Sequence, residues 1–174
     1  MGWKLLKQHF EIKHIVQVEG DQIKIGSGYV SDLGLIDMKT GRLTRKYGWE
    51  RSLAEYEALL NASPEEILAL LNEPDQFERS LPVYIVSDAK VIEEQCEVPG
   101  YPNLTHSGRL MYENTTFLDR EKADQYVLKS LGYRIKTWSE RKEQLSDEIA
   151  AIEAEIALAK AAQTEIQSRL TKSL

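Results

Sequence analysis

The chain has 174 residues, of which 42% are hydrophobic, and a formal net charge of −6 at pH 7. This composition supports a packed core and excludes a disordered chain, and the single Cys96 excludes an intramolecular disulfide framework and a multi-cysteine zinc site. No stretch approaches the ~18 apolar residues of a membrane span, and the charged first residues lack a secretory signal. We therefore expect a cytoplasmic protein that does not interact with membranes.

The acidic residues are concentrated in one segment. Residues 50–97 carry twelve acidic and three basic side chains, whereas residues 1–49 carry eight basic and five acidic ones. Phosphate binding needs a clustered basic surface, so direct nucleic-acid binding is not expected. The acidic segment either faces a basic partner or is the solvated surface of helices, which is the interpretation we favour.

Residues 10–49 are predicted to form an antiparallel β-meander. Apolar and polar side chains alternate from Phe10 to Val18, and this alternation is typical of a strand with one buried face. Gly20 and Gly41 lie in turn sequences, where glycine can adopt positive φ. The third strand is predicted in the sequence YVSDLGLIDM and the fourth in LTRK.

The sequence Gly26-Ser27-Gly28 between two of these strands could indicate a ligand-binding loop. It is not a phosphate loop, because no Gly-Lys-Ser/Thr follows and no helix begins there. It is not a nucleophile elbow either, because the required glycines two residues on either side of the serine are absent. We favour a β-bulge; the alternative, a close backbone approach, leaves Ser27 and Tyr29 as contacts for a partner.

Helical spacing replaces the alternation over residues 50–73. The second of two helices predicted there has strong end signals, with Ser63 as N-cap, Pro64 at the first helical position and Pro74 as the stop.

Strand character returns over residues 82–117, interrupted by a proline- and glycine-rich loop at 99–108. A helix is predicted over residues 119–131, with Asp119 as N-cap and Gly132 as the C-terminal stop.

The C-terminal residues 133–174 contain the strongest pattern in the chain. Steps of three and four from Ile135 to Leu170 give a heptad register in which only Lys142 and Gln163 are polar. A coiled-coil oligomerisation helix is predicted, in a dimer or a higher homo-oligomer of undetermined helix orientation. The alternative is that this C-terminal stripe packs within its own chain. The oligomerisation residues predicted from it are Trp138, Leu145, Ile149, Ile152, Ile156, Ile166 and Leu170.

The predicted fold class is α+β, with an N-terminal antiparallel β-meander, a mixed α/β middle and a long C-terminal coiled-coil helix. We predict two domains. The first is a β-rich α+β body over residues 1–132, and the second is the oligomerisation helix over residues 133–174.

The best candidate for a binding site is the loop after the middle strands. It concentrates side chains suited to stacking and polar recognition: Tyr101, Asn103, His106, Arg109 and Tyr112. Arg109 would contact an anion, and Tyr101 or Tyr112 would provide a stacking platform. The alternative is a simple connection whose tyrosines pack against the protein.

A basic and aromatic cluster within residues 42–49 is a second candidate surface. The alternative there is the charged face of an edge strand.

Signals for catalysis are weak. Cys96 and His106 lie on opposite sides of the proline-rich loop, but a single cysteine is usually a small buried hydrophobe. His14 falls among the apolar positions of its predicted strand, and Asp32 forms no evident carboxylate pair with Asp37. We predict no catalytic residue, metal or cofactor, and keep a small hydrolase using Cys96, His106 or Asp32 as an alternative.

The sequence GRLMYENTTFLDREKADQYV, from Gly108 to Val127, resembles small accessory proteins of bacteriophages and prophages. The shared features are a Gly-x-Leu-x-Tyr-x-Asn-Thr-x-Phe stretch, a following helix and a charged coiled coil. The resemblance implies a protein in a bacterial host cell that modulates host machinery or inhibits host defence by binding. We therefore expect a non-enzymatic homo-oligomer that inhibits a host protein complex, such as an anti-phage defence system. The alternative is a protein that sequesters a nucleotide-type signal.

Overall fold

The computed structural model describes residues 1–30, 32–45 and 53–172. The chain divides into two compact units, Met1–Val127 and Leu128–Leu174. The predicted α+β fold, with an N-terminal antiparallel sheet and a long C-terminal helix, is confirmed. In chain order the elements are α1 (Trp3–His9), β1 (Ile15–Glu19), β2 (Gln22–Gly26), β3 (Gly34–Asp37), β4 (Leu43–Arg45), α2 (Glu57–Asn61), α3 (Pro64–Asn72), β5 (Leu81–Ser87), β6 (Lys90–Cys96), β7 (Thr116–Phe117) and α4 (Arg120–Lys172).

The predicted β-meander is confirmed, because β1, β2, β3 and β4 pair antiparallel in that order. Gly20, with a φ of 60°, lies in the tight turn between β1 and β2, and Gly41, with a φ of 66°, precedes β4. Ile23 and Ile36 lie opposite each other in neighbouring strands and are completely buried on the core face. The predicted strand residues 46–49 lie outside the described part of the chain.

The prediction of a strand from Phe10 onwards is wrong, since this part of the chain follows a helix, α1, and β1 begins only at Ile15. Trp3, Leu6 and Phe10 are buried at the spacing of one helix face. The backbone N–H of Gly2 donates to the carbonyl of Leu71, 3.0 Å away, which joins the start of α1 to α3. The core therefore lies between the meander and a layer of short helices.

The second helix predicted within residues 50–73 is confirmed with its end signals. The Ser63 hydroxyl accepts a hydrogen bond from the backbone N–H of Glu66 at 3.1 Å, and Pro64 occupies the first helical position. α3 ends two residues before Pro74. The helices of this segment bury apolar side chains in the same core as the meander: Leu59 from α2, and Ile67 and Leu71 from α3.

A second sheet has the strand order β6-β5-β7. The strand predicted over residues 109–117 is mostly wrong, because only the two residues of β7 pair with β5. Two hydrogen bonds explain the difference: Thr105 N–H donates to Arg109 O at 2.9 Å, and Met111 N–H donates to Asn103 O at 3.1 Å. The backbone groups of residues 109–111 thus find their hydrogen-bond partners in the backbone of the preceding loop.

The α4 helix begins as predicted and ends far later than predicted. Asp119 caps its N-terminus by accepting hydrogen bonds from the N–H groups of Glu121 at 2.8 Å and Lys122 at 3.3 Å. Gly132 does not end the helix, which continues without interruption to Lys172. A single glycine costs about 1 kcal/mol in a helix, and the helix-forming residues on both sides outweigh this cost. The predicted C-terminal helix is therefore part of one 53-residue element.

Replacing Gly132 by Ala is expected to stabilise α4 by about 0.5–1 kcal/mol, because Gly132 is exposed and an added Cβ would meet no atom within 4 Å. Thermal melting followed by far-UV circular dichroism measures this. The exposed Ala161→Gly variant is the reciprocal control and should lose a similar amount. A destabilised Gly132→Ala protein would instead indicate a left-handed helix end at this position.

Candidate functional site

The loop that follows β6 is fixed by hydrogen bonds of its backbone to α1, β1 and β6. The Trp3 indole N–H donates to the carbonyl of His106 at 3.0 Å, and the N–H of Val18 in β1 donates to the carbonyl of Gly108 at 2.8 Å. The N–H of His106 donates to the carbonyl of Gln95 in β6, 2.7 Å away. Two elements distant in sequence, α1 and β1, therefore set the position of this loop together with β6.

The His106 side chain, a predicted contact residue, is used in packing. Its ring stacks on Phe77 with the ring centroids 3.8 Å apart and the planes 7° from parallel. Its Nε2 lies 3.0 Å from the carbonyl oxygen of Arg79. The ammonium of Lys4 lies 5.0 Å from the centroid of the same Phe77 ring and binds Glu97. The structure does not bring the His106 ring together with the predicted tyrosines.

Arg109, the predicted anion contact, already faces a carboxylate of its own chain. Its Nε lies 3.3 Å from Glu94 Oε1, and the Ser107 hydroxyl donates to the other oxygen of Glu94. Glu94 is largely buried, so this ion pair holds the loop against β6. An anionic ligand at Arg109 would have to compete with Glu94.

Tyr101 and Tyr112 lie side by side and remain open to solvent. Their ring centroids are 6.3 Å apart with the planes at 24°, and their exposed fractions are 41% and 49%. The turn at Gly26–Gly28 approaches them from the end of β2, and a Cβ at Gly28 would overlap the Tyr101 hydroxyl. Two predicted candidate segments therefore meet in space, although they are far apart in the sequence.

A cleft of about 310 Å³ opens beside this contact, and we call it the tyrosine cleft. Its walls are the Gly26–Gly28 turn, Tyr101 and Pro102 from the loop, and the segment from Lys13 to Ile15. The volume is at the lower end of the range for small-molecule sites. No sequence signal indicates the third wall, because the alternation of residues 10–14 is typical of a strand.

The remaining predicted contacts serve different roles. The Ser27 hydroxyl accepts hydrogen bonds from the N–H groups of Tyr29 at 3.3 Å and Val30 at 3.2 Å, which closes the turn. Tyr29 is fully exposed. Asn103 lines a different cleft, next to α1.

The β-bulge favoured at Gly26–Gly28 is wrong. Gly26 is the last paired residue of β2, and Gly28 is a site of close approach to Tyr101.

Gly28→Ala is expected to fold with a loss of less than about 1 kcal/mol, because the added Cβ overlaps only the far end of a flexible side chain. The near-UV circular dichroism of the tyrosines should change as the Tyr101 ring moves away. The control adds the same substitution to a Tyr101→Phe protein, which lacks the overlapping hydroxyl and should show a smaller change. Loss of folding would mean that glycine is needed for the backbone itself.

The thiol of Cys96, one residue of the hydrolase alternative, is not in an activating environment. Cys96 is completely buried, and this burial raises the pKa of its thiol, which favours the unreactive protonated form. His14 Nδ1 lies 2.5 Å from the Tyr56 hydroxyl, which joins the residue before β1 to the residue before α2. Asp32 lies in the turn before β3. Within residues 1–30, 32–45 and 53–172, no group of His, Cys, Asp or Glu side chains could hold a metal ion.

The C-terminal stripe is exposed along α4. Ile152, near its centre, has 57% of its surface exposed, and the other predicted oligomerisation residues are exposed to a similar extent. Because the helix continues through Gly132, the three-and-four spacing also includes Leu128 and Leu131, one heptad earlier than predicted. Leu158 is exposed by 72% but lies off the stripe. Among the described helices, none is long and apolar enough to span a membrane.

Comparison with known proteins gave no match. No family model matches this chain, and neither a curated protein nor a solved structure matches it.

Proposed function

We propose that this protein is a homo-oligomeric binding protein, in which the C-terminal stripe of α4 associates copies of the chain through a coiled coil. The observation that carries the proposal is the row of exposed isoleucines and leucines at heptad spacing on an uninterrupted helix. Burying one such side chain contributes about 1.5–3 kcal/mol, and exposed apolar rows of this length mark association surfaces. Lys142 and Gln163, the two polar positions of the stripe, would set register and oligomer number.

Oligomerisation would multiply any weak site carried by the first unit. Copies joined by a coiled coil bind a partner with several equivalent sites more tightly than one copy does, without new contacts. On this basis, and following the resemblance to phage accessory proteins, we propose that the oligomer acts in the bacterial cytoplasm and inhibits a host protein complex.

The mass of the full chain in solution tests the first part. Light scattering coupled to size exclusion at micromolar concentration should give a multiple of the 19.9 kDa chain mass. A particle of 19.9 kDa over the whole concentration range would overturn the proposal. Affinity purification from the bacterial host, with mass spectrometry, tests the second part: a stable co-purifying complex is expected, and its absence would contradict an inhibitor of a protein complex.

A second candidate function is the sequestration of a nucleotide-type signal. It is favoured by the half-exposed Tyr101 and Tyr112 rings beside the tyrosine cleft, since nucleobases stack readily on aromatic side chains. Such a protein would gain thermal stability with nucleotides and release them chemically intact after heating. A hydrolase at the same site would release altered ligand.

A further inference from the structure

A second, larger cleft of about 480 Å³ lies between α1 and the segment at residues 97–104, and we call it the α1 cleft. Its walls include Lys4 and Lys7 from α1, Glu97 at the end of β6 and Asn103 from the loop. It adjoins the tyrosine cleft and shares with it the residues Lys13, Ile15 and Pro102. Its volume lies within the usual range for small-molecule sites.

Three lysines line this cleft, and two of them have carboxylate partners. The Lys4 ammonium lies 2.8 Å from Glu97 and is also bound by the carbonyl of Gln76. Lys13 lies 3.5 Å from Glu55, with most of its side chain in solvent. The charges of both residues are therefore already compensated or well hydrated.

Lys7 differs from the other two. It is half-buried, and among the residues that the structure describes no carboxylate lies within ion-pair distance of its ammonium. Burial lowers the pKa of Lys7, and no neighbouring charge offsets that effect. Glu11, which also lines the cleft, is exposed and does not compensate Lys7. An anion bound beside this ammonium would supply the counter-charge that the described residues do not.

We propose that the α1 cleft binds a small ligand carrying a phosphate group, with the Lys7 ammonium as its counter-ion. A lysine suits phosphate because it acts as a point charge, whereas planar carboxylates favour the two-pronged geometry of arginine. Gln8 and Asn103, also in the walls, offer amide groups for the rest of the ligand. This inference deepens the second candidate function, on which the choice of a nucleotide as probe rests.

Isothermal titration of the full chain with AMP, adenosine and inorganic phosphate tests the proposal. AMP should bind, adenosine should bind at least tenfold more weakly, and inorganic phosphate should compete with AMP. Lys7→Met, which keeps the aliphatic length, should weaken AMP binding by about tenfold or more, as expected for a lost charged hydrogen bond. Lys39→Met removes one positive charge outside the cleft and should leave AMP binding unchanged.

Thermal melting provides a second measurement. Lys7→Met should raise the melting temperature in the absence of ligand, because it removes a desolvated charge, and should show no further rise with inorganic phosphate. A lysine with only a structural role would give an unchanged or lower melting temperature.

The possible outcomes separate the two ideas. If AMP binds equally to wild type and Lys7→Met but not to Tyr101→Ala, the nucleotide function stands and the Lys7 site is overturned. If inorganic phosphate stabilises only the wild type and AMP binds no better than phosphate, the Lys7 site stands and the nucleotide function fails. If neither AMP nor phosphate affects the wild type, the Lys7 site is overturned.

Discussion

Replacing Ile152 by Asp is expected to convert the proposed oligomer into a particle of 19.9 kDa. Ile152 lies near the centre of the C-terminal stripe, and in the proposed coiled coil a carboxylate at this position would be buried between helices. The variant would lose the burial of an isoleucine, about 1.5–3 kcal/mol in each copy, and would add the larger cost of a desolvated charge. Light scattering over a range of concentrations measures the change.

Leu158→Asp is the matched control for this substitution. Leu158 is at least as exposed as Ile152, lies on the same helix six residues later and falls off the heptad spacing. The two variants change local helix propensity by similar amounts, so only the position on the helix surface differs. Equal masses for the two variants would contradict the assignment of the stripe, whichever mass is found.

Replacing Gly108 by Ala is expected to destabilise the first unit by about 2–5 kcal/mol. Gly108 has a φ of 83°, and an added Cβ would clash with Val18 and press against the Trp3 ring. The substitution therefore combines backbone strain of about 1–2 kcal/mol with overpacking of about 1–3 kcal/mol. Urea unfolding followed by tryptophan fluorescence is the appropriate measurement.

Gly100→Ala separates these two contributions. Gly100 has a φ of 91°, but an added Cβ there would meet no atom within 4 Å. This variant should carry the backbone strain alone, so its loss should be smaller than that of Gly108→Ala by the overpacking contribution. Equal losses at both positions would show that the contact of Gly108 with Val18 and Trp3 contributes nothing.

Local signals predicted much of the fold correctly. The cap at Ser63, the cap at Asp119 and the glycine turns of the meander depend on a few neighbouring residues, and the structure contains all of them. α1 was missed because its seven residues are too few for a clear helical pattern and are followed by an alternation typical of a strand. Gly132 predicts a helix end because glycine is common there, but only the backbone conformation distinguishes an end from an interior position.

The surroundings of the candidate side chains depend on non-local packing. The sequence indicated Tyr101 and the Gly26–Gly28 turn as separate candidates, and no local pattern could predict that they touch. His106 and Arg109 are suitable residue types for binding. In the structure, however, the His106 ring stacks on Phe77 and Arg109 forms an ion pair with Glu94, both distant in the sequence. Lys7 carries no sequence signal, because the lack of a carboxylate beside it among the described residues is apparent only from the structure.

The hydrogen bond from Val18 to Gly108 has a consequence for how copies of the chain can meet. β1 is an edge strand of the meander, and such edges readily accept a strand from another molecule. Here the Val18 N–H already donates a hydrogen bond to the Gly108 carbonyl. The Trp3 indole N–H donates to the His106 carbonyl of the same loop. A strand added along this part of β1 would first have to displace the loop and break its hydrogen bond to Trp3, so the loop protects the β1 edge against strand exchange.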